Sequence, residues 1–338
     1  MMKKANIYDV AKLADVSHQT VSRVLNKHAS VKPATREKVE KAISELSYRP
    51  NQAARQLVTS QSRMIGVLIA ESNLFGPSSI LNAMQNVSRK EGYSVISISV
   101  LAKSRDSWRE GIEQLRNLNI DGVITIALPK EIVREIEQSL LEATIVLIGS
   151  EPSKKFNVVN MDNGTGAKLA TQHLIDQGHT EIFHVAGPKN AYEAQMRSIG
   201  YEEVMKESGL VPRVFPGTWA IESGYEAGKE ILKLRELPTA IFCANDHLAI
   251  GVIKVLHEHG IQIPGQVSVV GYDDIPESNY LTPSLTTIRP NFDALGKAAI
   301  DKMLKQLQQV AVKEAVMLKP ELVVRKSTAS IKTRKRST

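Results

Sequence analysis

Over the first fifty positions, apolar residues recur at the spacing of short amphipathic helices. Ile7, Val10, Ala11 and Ala14 fall at i, i+3, i+4 and i+7, which places them on one face of a first helix. Val21, Val24 and Leu25 mark the inward face of a second. The other face of that second helix carries Gln19, Ser22, Arg23 and Asn26 at the same spacing. A stripe of amide, hydroxyl and guanidinium groups suits the reading of base edges in a major groove. Residues 33–47 predict a third helix, with Pro33 in its first turn and Val39, Ala42, Ile43 and Leu46 facing the first two. Three small helices bury little surface, so this headpiece is only marginally stable alone. Asn51 can cap a further helix through Leu57. Two turns do not persist in water unaided, so that helix is conditional on packing against something else.

From Met64 the pattern changes to apolar runs alternating with amphipathic helices. The expected strands are Ile65–Ala70, Val95–Val100, Gly122–Ala127, Ile145–Gly149, Val158–Met161, Ile182–Ala186, Ala240–Ala244 and Val267–Gly271. The expected helices are Ser79–Lys90, Arg109–Asn117, Lys130–Leu141, Gly166–Gln177, Ala194–Ser208, Glu222–Lys233 and His247–His259. This alternation implies parallel sheets with both faces covered, an α/β class. The units exceed one comfortable sheet, so two lobes are expected, dividing near Glu151–Asn157. Open parallel sheets bind ligands at the carboxyl ends of their strands, which puts the site in the cleft between lobes.

The 338 residues carry 42% hydrophobic and 23% charged side chains, an ordinary globular balance. The net charge of +7 is informative through its location. Residues 1–63 hold twelve Lys/Arg against five Asp/Glu, and the remainder is neutral. A basic headpiece on a neutral body points to phosphate contact by the headpiece alone. The single cysteine, Cys243, excludes an intramolecular disulfide and reads as a buried strand residue. No apolar h-region follows Lys3 and Lys4, and no run of about 18 apolar residues occurs, so no signal peptide, no membrane partner and a cytoplasmic location are expected. No catalytic constellation is legible: Gly164-Thr165-Gly166 lacks the Lys of a P-loop, and His257 and His259 lack partners at metal-ligand spacing. The expectation is a protein that is not an enzyme, with no cofactor and no metal.

Tyr8-Asp9-Val10-Ala11, the run Val16 to Asn26, and Tyr48-Arg49-Pro50-Asn51 resemble the headpiece of the lactose-repressor (LacI/GalR) family. The resemblance continues through Asp121-Gly122-Val123-Ile124, Gly178-His179, Val185-Ala186-Gly187-Pro188, Ala244-Asn245-Asp246, Val267 to Asp274 and Leu285-Thr286-Thr287-Ile288. It covers about residues 6–328 and is specific, because the motifs stand in family order. It implies a helix-turn-helix DNA-binding domain over 1–48 and a hinge helix and linker over 49–62. A periplasmic-binding-protein-like core over 63–328 would provide effector binding and dimerisation. Lobe 1 would take about 63–160 plus 290–320, and lobe 2 about 161–289 plus 321–328. Residues 329–338 would form a basic disordered tail.

The resemblance assigns base reading to His18, Gln19 and Arg23, and phosphate contact or register to Tyr8, Ser17, Thr20, Ser22 and Asn26. Asn51 and Leu57 belong to the hinge, with Leu57 inserted into a central minor-groove step. For the effector cleft it points to Arg197, Asn245 and Asp273, with Trp219 as a wall and Ile80, Met161, Phe292 and Leu295 as lining. Three departures bear on the ligand. Gly149-Ser150 replaces an acid that the family's namesake carries after the fourth core strand, Ala70 replaces a serine, and Pro290-Asn291 replaces a glutamine.

The implied function is repression of a sugar-utilisation operon by a homodimer on pseudo-palindromic double-stranded DNA, released by a galactoside-like sugar inducer. The alternative is a family regulator answering to a nucleobase corepressor or a phosphorylated protein partner. Only ten residues follow Thr328 and they hold no leucine heptads, so dimers and not tetramers are expected.

Overall fold

The computed structural model describes residues 5–25, 28, 30–48, 61–70, 74–101, 104–127, 132, 135–136, 144–153, 155–310 and 315–331. The expectations for Asn26, Asn51, Leu57, the hinge helix, most of the helix 130–141 and the last seven residues lie outside them. The chain divides into two units, Met1–Ser62 and Arg63–Thr338. Among the described residues, no helix is long and apolar enough to cross a membrane.

The first unit holds α1 (Ile7–Leu13), α2 (His18–Leu25) and α3 (Pro33–Glu45). Each start has a local cause. Asn6 Oδ1 accepts from the Tyr8 and Asp9 amides, while Asp9 Oδ2 accepts from the Asn6 amide, a reciprocal cap on α1. Ser17 Oγ accepts from the Thr20 amide and so caps α2. Pro33 fills the first turn of α3. That helix stops at Glu45, short of the expected 47, and Ser47 turns the chain at a φ of 46°. Val10, Ala11, Ala14, Val21, Val24, Val39 and Ala42 form the core, ringed by Ile7, Leu25, Ile43, Leu46 and Tyr48.

Among the described residues, the second unit holds two six-stranded sheets. The first is built from β1 (Met64–Ala70), β2 (Ser94–Val100), β3 (Gly122–Ile126), β4 (Thr144–Ile148), β5 (Asn157–Met161) and β11 (Val316–Leu318), in the order β11-β5-β4-β3-β1-β2. The second holds β6 (Ile182–Val185), β7 (Arg213–Phe215), β8 (Ala240–Cys243), β9 (Ser268–Tyr272), β10 (Thr286–Arg289) and β12 (Glu321–Val323), in the order β12-β10-β9-β8-β6-β7. Helices α4 (Phe75–Lys90) and α5 (Arg105–Asn117) cover the first sheet, with α10 (Phe292–Leu307) packed beside α4. Helices α6 (Asn163–Asp176), α7 (Tyr192–Glu207), α8 (Ile221–Leu232) and α9 (Asp246–Glu258) cover the second.

Four features correct the sequence reading. The chain leaves the first sheet after Met161, close to the boundary near 160 that the resemblance implies and past the 151–157 read from the apolar pattern, because β5 pairs with β4 and β11. The strands β7, β10, β11 and β12 were not expected. Three of them, β7, β11 and β12, are three residues long, too short for a periodic signal, and β10, Thr286-Thr287-Ile288-Arg289, is not an apolar run. The sheets are not purely parallel, since β12 runs antiparallel to β10. Finally, the segment expected to open a disordered tail is docked: the Ala329 amide donates to Ser268 Oγ at 3.2 Å and the Ile331 amide to the Gln177 carbonyl at 3.0 Å. The return of α10 to the first lobe is visible in its core, where Leu295, Ala299, Ile300 and Met303 pack with Val67, Ile124 and Val146.

Candidate functional site

In the first unit, the buried face of α2 fixes what its other face shows. Val21 and Val24 are buried, so Gln19 and Arg23 stand exposed and Ser22 half-exposed on the opposite side. His18 opens the helix, exposed, with its ring centroid 5.2 Å from that of Tyr8 on α1. Ser17 and Thr20 have local duties that the sequence reading missed. Besides capping α2, the Ser17 hydroxyl lies 2.9 Å from the Thr20 hydroxyl. The stripe is therefore presented by a helix whose first turn is tied down by its own side chains.

In the second unit, three strand ends of the second sheet bring Arg197, Trp219, Asn245 and Asp273 together. Arg197 rises from α7 and is 6% exposed. Its Nε donates to Asn163 Oδ1 at 2.9 Å, one Nη donates to the Ala244 carbonyl, and the other to Asp273 Oδ1 at 3.4 Å. The guanidinium lies over the Tyr272 ring, 3.6 Å from its centroid, with the Trp219 ring at 5.4 Å. Cation–π contact and a buried ion pair thus share one cation. Asn245 follows β8 and commits both its polar atoms within the fold. Its Oδ1 accepts from the Leu248 amide, capping α9, and its Nδ2 donates to the Trp219 carbonyl at 3.1 Å. Asn245 therefore holds the Trp219 wall in place as the cluster stands.

Asp273 sits at a φ of 106° and Asp274 at 50°, two successive residues in the left-handed region. Such backbone costs of order 1–3 kcal/mol per residue and persists only when neighbours over-determine it. They do here. Asp246, fully buried, accepts from the Ile275 amide at 2.9 Å, Ser278 Oγ at 2.7 Å and Thr287 Oγ1 at 2.6 Å. Asp274 pairs with Arg289 and, at 2.6 Å, with Arg325. Burial pushes the Asp246 carboxyl up to about 7, against the hydrogen bond from Thr287. Burial also raises that of Asp273, with Arg197 and His247 opposing.

A cleft of about 540 Å³ opens here, with Phe75, Ser79 and Phe292 on one side and Asp273, Asp274 and Arg289 on the other. Phe75 and Phe292 meet edge to face at 5.9 Å. Of the expected effector residues, Asp273 and Phe292 line this cleft, while Arg197, Trp219 and Asn245 cluster around Asp273. Ile80, Met161 and Leu295 are 5%, 6% and 3% exposed and pack in the apolar cluster of the first lobe. Ala70 ends β1 half-buried, and Asn291 Oδ1 caps α10 by accepting from the Ala294 amide. Glu193 and Asp246 escaped the sequence reading. Glu193 lies one helical turn before Arg197, an i,i+4 relation that was available as a signal. Cys243 is fully buried in β8, and burial raises its thiol well above the ordinary range.

The headpiece thus presents an exposed polar stripe on a helix-turn-helix, and the two-sheet core carries a buried polar cluster at its strand ends. Residues 6–51 match the bacterial regulatory proteins of the lacI family, and residues 171–328 match the periplasmic binding protein-like domain. The chain is 33% identical to the lactose operon repressor of Escherichia coli (strain K12), over 97% of this chain and 91% of that protein. It is equally 33% identical to the transcriptional repressor PurR of Pasteurella multocida (strain Pm70), over 96% of this chain and 99% of that protein. Among solved structures, a lac repressor dimer bound to operator and the anti-inducer ONPF superposes with a TM-score of 0.88 at 33% identity, covering 97% of this chain and all of that one. A complex of the regulator CelR with cellobiose gives 0.74 at 27% identity, covering 96% and 99%. The chain belongs to the lacI family of bacterial regulatory proteins and is a DNA-binding transcriptional regulator.

Proposed function

We propose that this regulator is a repressor that binds a pseudo-palindromic operator as a homodimer and is released by a small neutral sugar held between its core lobes. One headpiece presents one reading stripe, which suits one half-site, and a twofold dimer completes the site. Arg23 bonding bidentately to guanine and Gln19 to adenine would set sequence, with His18 modulating it. Tyr8, Ser17, Thr20 and Ser22 would meet phosphates or fix register.

The observation that carries the sugar reading is the buried Arg197–Asp273 pair with the Trp219 ring 5.4 Å from the guanidinium. A carboxylate and a guanidinium fork bind vicinal hydroxyls, and an indole covers the apolar face of a pyranose. The CelR relative solved in complex with cellobiose supports this class, and a nucleobase is the alternative. The favoured mechanism is linkage: a sugar that binds one arrangement of the lobes better shifts the population away from the DNA-binding one.

A thermal-shift screen of galactosides, glucosides, pentoses and purines tests the reading. A sugar that raises the melting temperature and weakens operator binding in a gel shift is the expected result. A purine that stabilises the protein and tightens operator binding, with no sugar active, would replace it with a corepressor mechanism.

A further inference from the structure

Glu193 stands in the first turn of α7, in the second lobe, yet its carboxylate reaches the first. A Cβ on Gly149 would collide with Glu193 Oε1 and stand 3.0 Å from its Cδ, so the acid occupies the space of a side chain at 149. Gly149 follows β4 at a φ of 69°, a conformation that suits glycine. The receiving turn is itself braced. The Gly149 and Ser150 amides donate to Asn160 Oδ1 at 3.0 and 3.2 Å, and Asn160 Nδ2 donates to the Ser150 carbonyl at 2.8 Å. Glu193 and Arg197 stand four residues apart on α7, on one face of that helix. Burial raises the Glu193 carboxyl above the ordinary range, with Arg197 opposing and Asp273 adding to it.

We propose that Glu193 is a specificity-determining residue of the effector cleft, which ties the second lobe to the Gly149 turn of the first and, with Asp273, selects a neutral polyhydroxylated ligand over an anionic one. The proposal rests on the sugar reading above for its ligand class, and on geometry alone for the tie. The Arg197 guanidinium already serves Asn163, the Ala244 carbonyl and Asp273, and Glu193 precedes it by one helical turn on α7. Ligand hydroxyls would find acceptors on Glu193 and Asp273, whereas a phosphate or uronate would meet like charge. Glycine at 149 and glutamate at 193 are thus a matched pair, the one leaving the space that the other fills.

The test uses the full-length protein and two readouts. Lys155→Cys and Lys189→Cys, exposed sites flanking the two turns, carry spin labels, and the native Cys243 is buried and spared. Pulsed-EPR distances without ligand are expected to be narrow with Glu193 and broadened toward longer values in Glu193→Ala. Calorimetric titrations then compare galactose, glucose and ribose with galacturonate, glucose 6-phosphate and ribose 5-phosphate, and include hypoxanthine. Wild type is expected to favour the neutral partner of at least one pair. Glu193→Gln is expected to shrink that preference by roughly 10- to 100-fold, the worth of a charge-assisted hydrogen bond. Unchanged distances in Glu193→Ala overturn the tie, and an unmoved neutral-to-anionic ratio overturns the selection. Hypoxanthine binding with no sugar overturns the sugar reading and the selection together, and the distances decide the tie regardless.

Discussion

The headpiece and the second lobe of the core carry their working side chains in opposite ways. Gln19 and Arg23 stand on the solvent face of α2, and none of the headpiece's buried apolar core depends on them. Arg197 and Asn245, at 6% and 1% exposure, are woven into the strand ends they serve. An exposed reader can be exchanged with effects confined to binding. A buried binder cannot, because the groups left behind lose their partners inside a low-dielectric site. Under the proposed function, the first unit would change operator preference freely, while the second would change ligand through coordinated substitutions such as the Gly149–Glu193 pair.

The sharpest way to break this contrast is Arg197→Leu. It removes the partner of Asp273 and Asn163 and the cation over Tyr272. Breaking a buried pair typically costs about 3–5 kcal/mol, so denaturant unfolding of the core is expected to show a loss of that order. Effector response should vanish with it. A variant as stable as wild type but unresponsive would mean that Arg197 serves binding alone and that the two regions do not differ in kind.

Next in size is the pH dependence set by Asp246. The native carboxyl, pushed up to about 7, keeps its proton while the unfolded one, near 4, has lost it. The native state then binds more protons between about pH 4 and 7, so this group makes stability fall as pH rises through that window, by a few kcal/mol. His184 acts in the opposite sense. Burial pushes it down to about 4, so its contribution to stability rises with pH from about 4 to 6.5. The difference between wild type and Asp246→Asn isolates the first effect. The variant is expected to gain on wild type from pH 4.5 to pH 8 in chemical denaturation, and a flat difference would remove Asp246 as a strained brace of the Asp273 turn.

In the headpiece, Arg23→Lys is expected to leave unfolding unchanged and to weaken the preferred operator by about 1–3 kcal/mol through loss of bidentate readout. Competition gel shifts at one fixed salt concentration measure this. Uniform weakening on all sequences, with no loss of preference, would make Arg23 a phosphate contact.

How much was legible follows from the same contrast. The helix faces of the headpiece and most strands of the core could be read from apolar spacing, because burial repeats with period 3.6 or in short apolar runs. The strands β11 and β12 could not, since three residues carry no period. Arg197 and Asp273 were reached through family motifs and came out in contact. Ile80, Met161 and Leu295 were reached the same way and pack among buried apolar side chains, and an apolar side chain looks alike in a cleft wall and beneath it. Glu193 was missed because its role depends on the missing side chain of a residue 44 positions earlier and in the other lobe. Asp246 was read only as part of a motif, and nothing in a sequence announces three donors converging from elsewhere.

The smallest expected effect tests whether the exposed region is as separable as this comparison holds. Ser17 caps α2 through the Thr20 amide at 3.1 Å, yet the same hydroxyl is a proposed phosphate contact. Ser17→Ala should cost about 1 kcal/mol of helix stability by loss of the cap. Hydrogen exchange at the α2 amides of the full-length chain reads that directly. If the cap is the whole role, operator affinity falls by no more than the same amount and the dependence of affinity on salt is unchanged. An affinity loss clearly larger than the exchange loss would mean that one hydroxyl serves fold and DNA together. Stability and binding would then be coupled at the start of the reading helix, as Arg197→Leu is expected to show for the core.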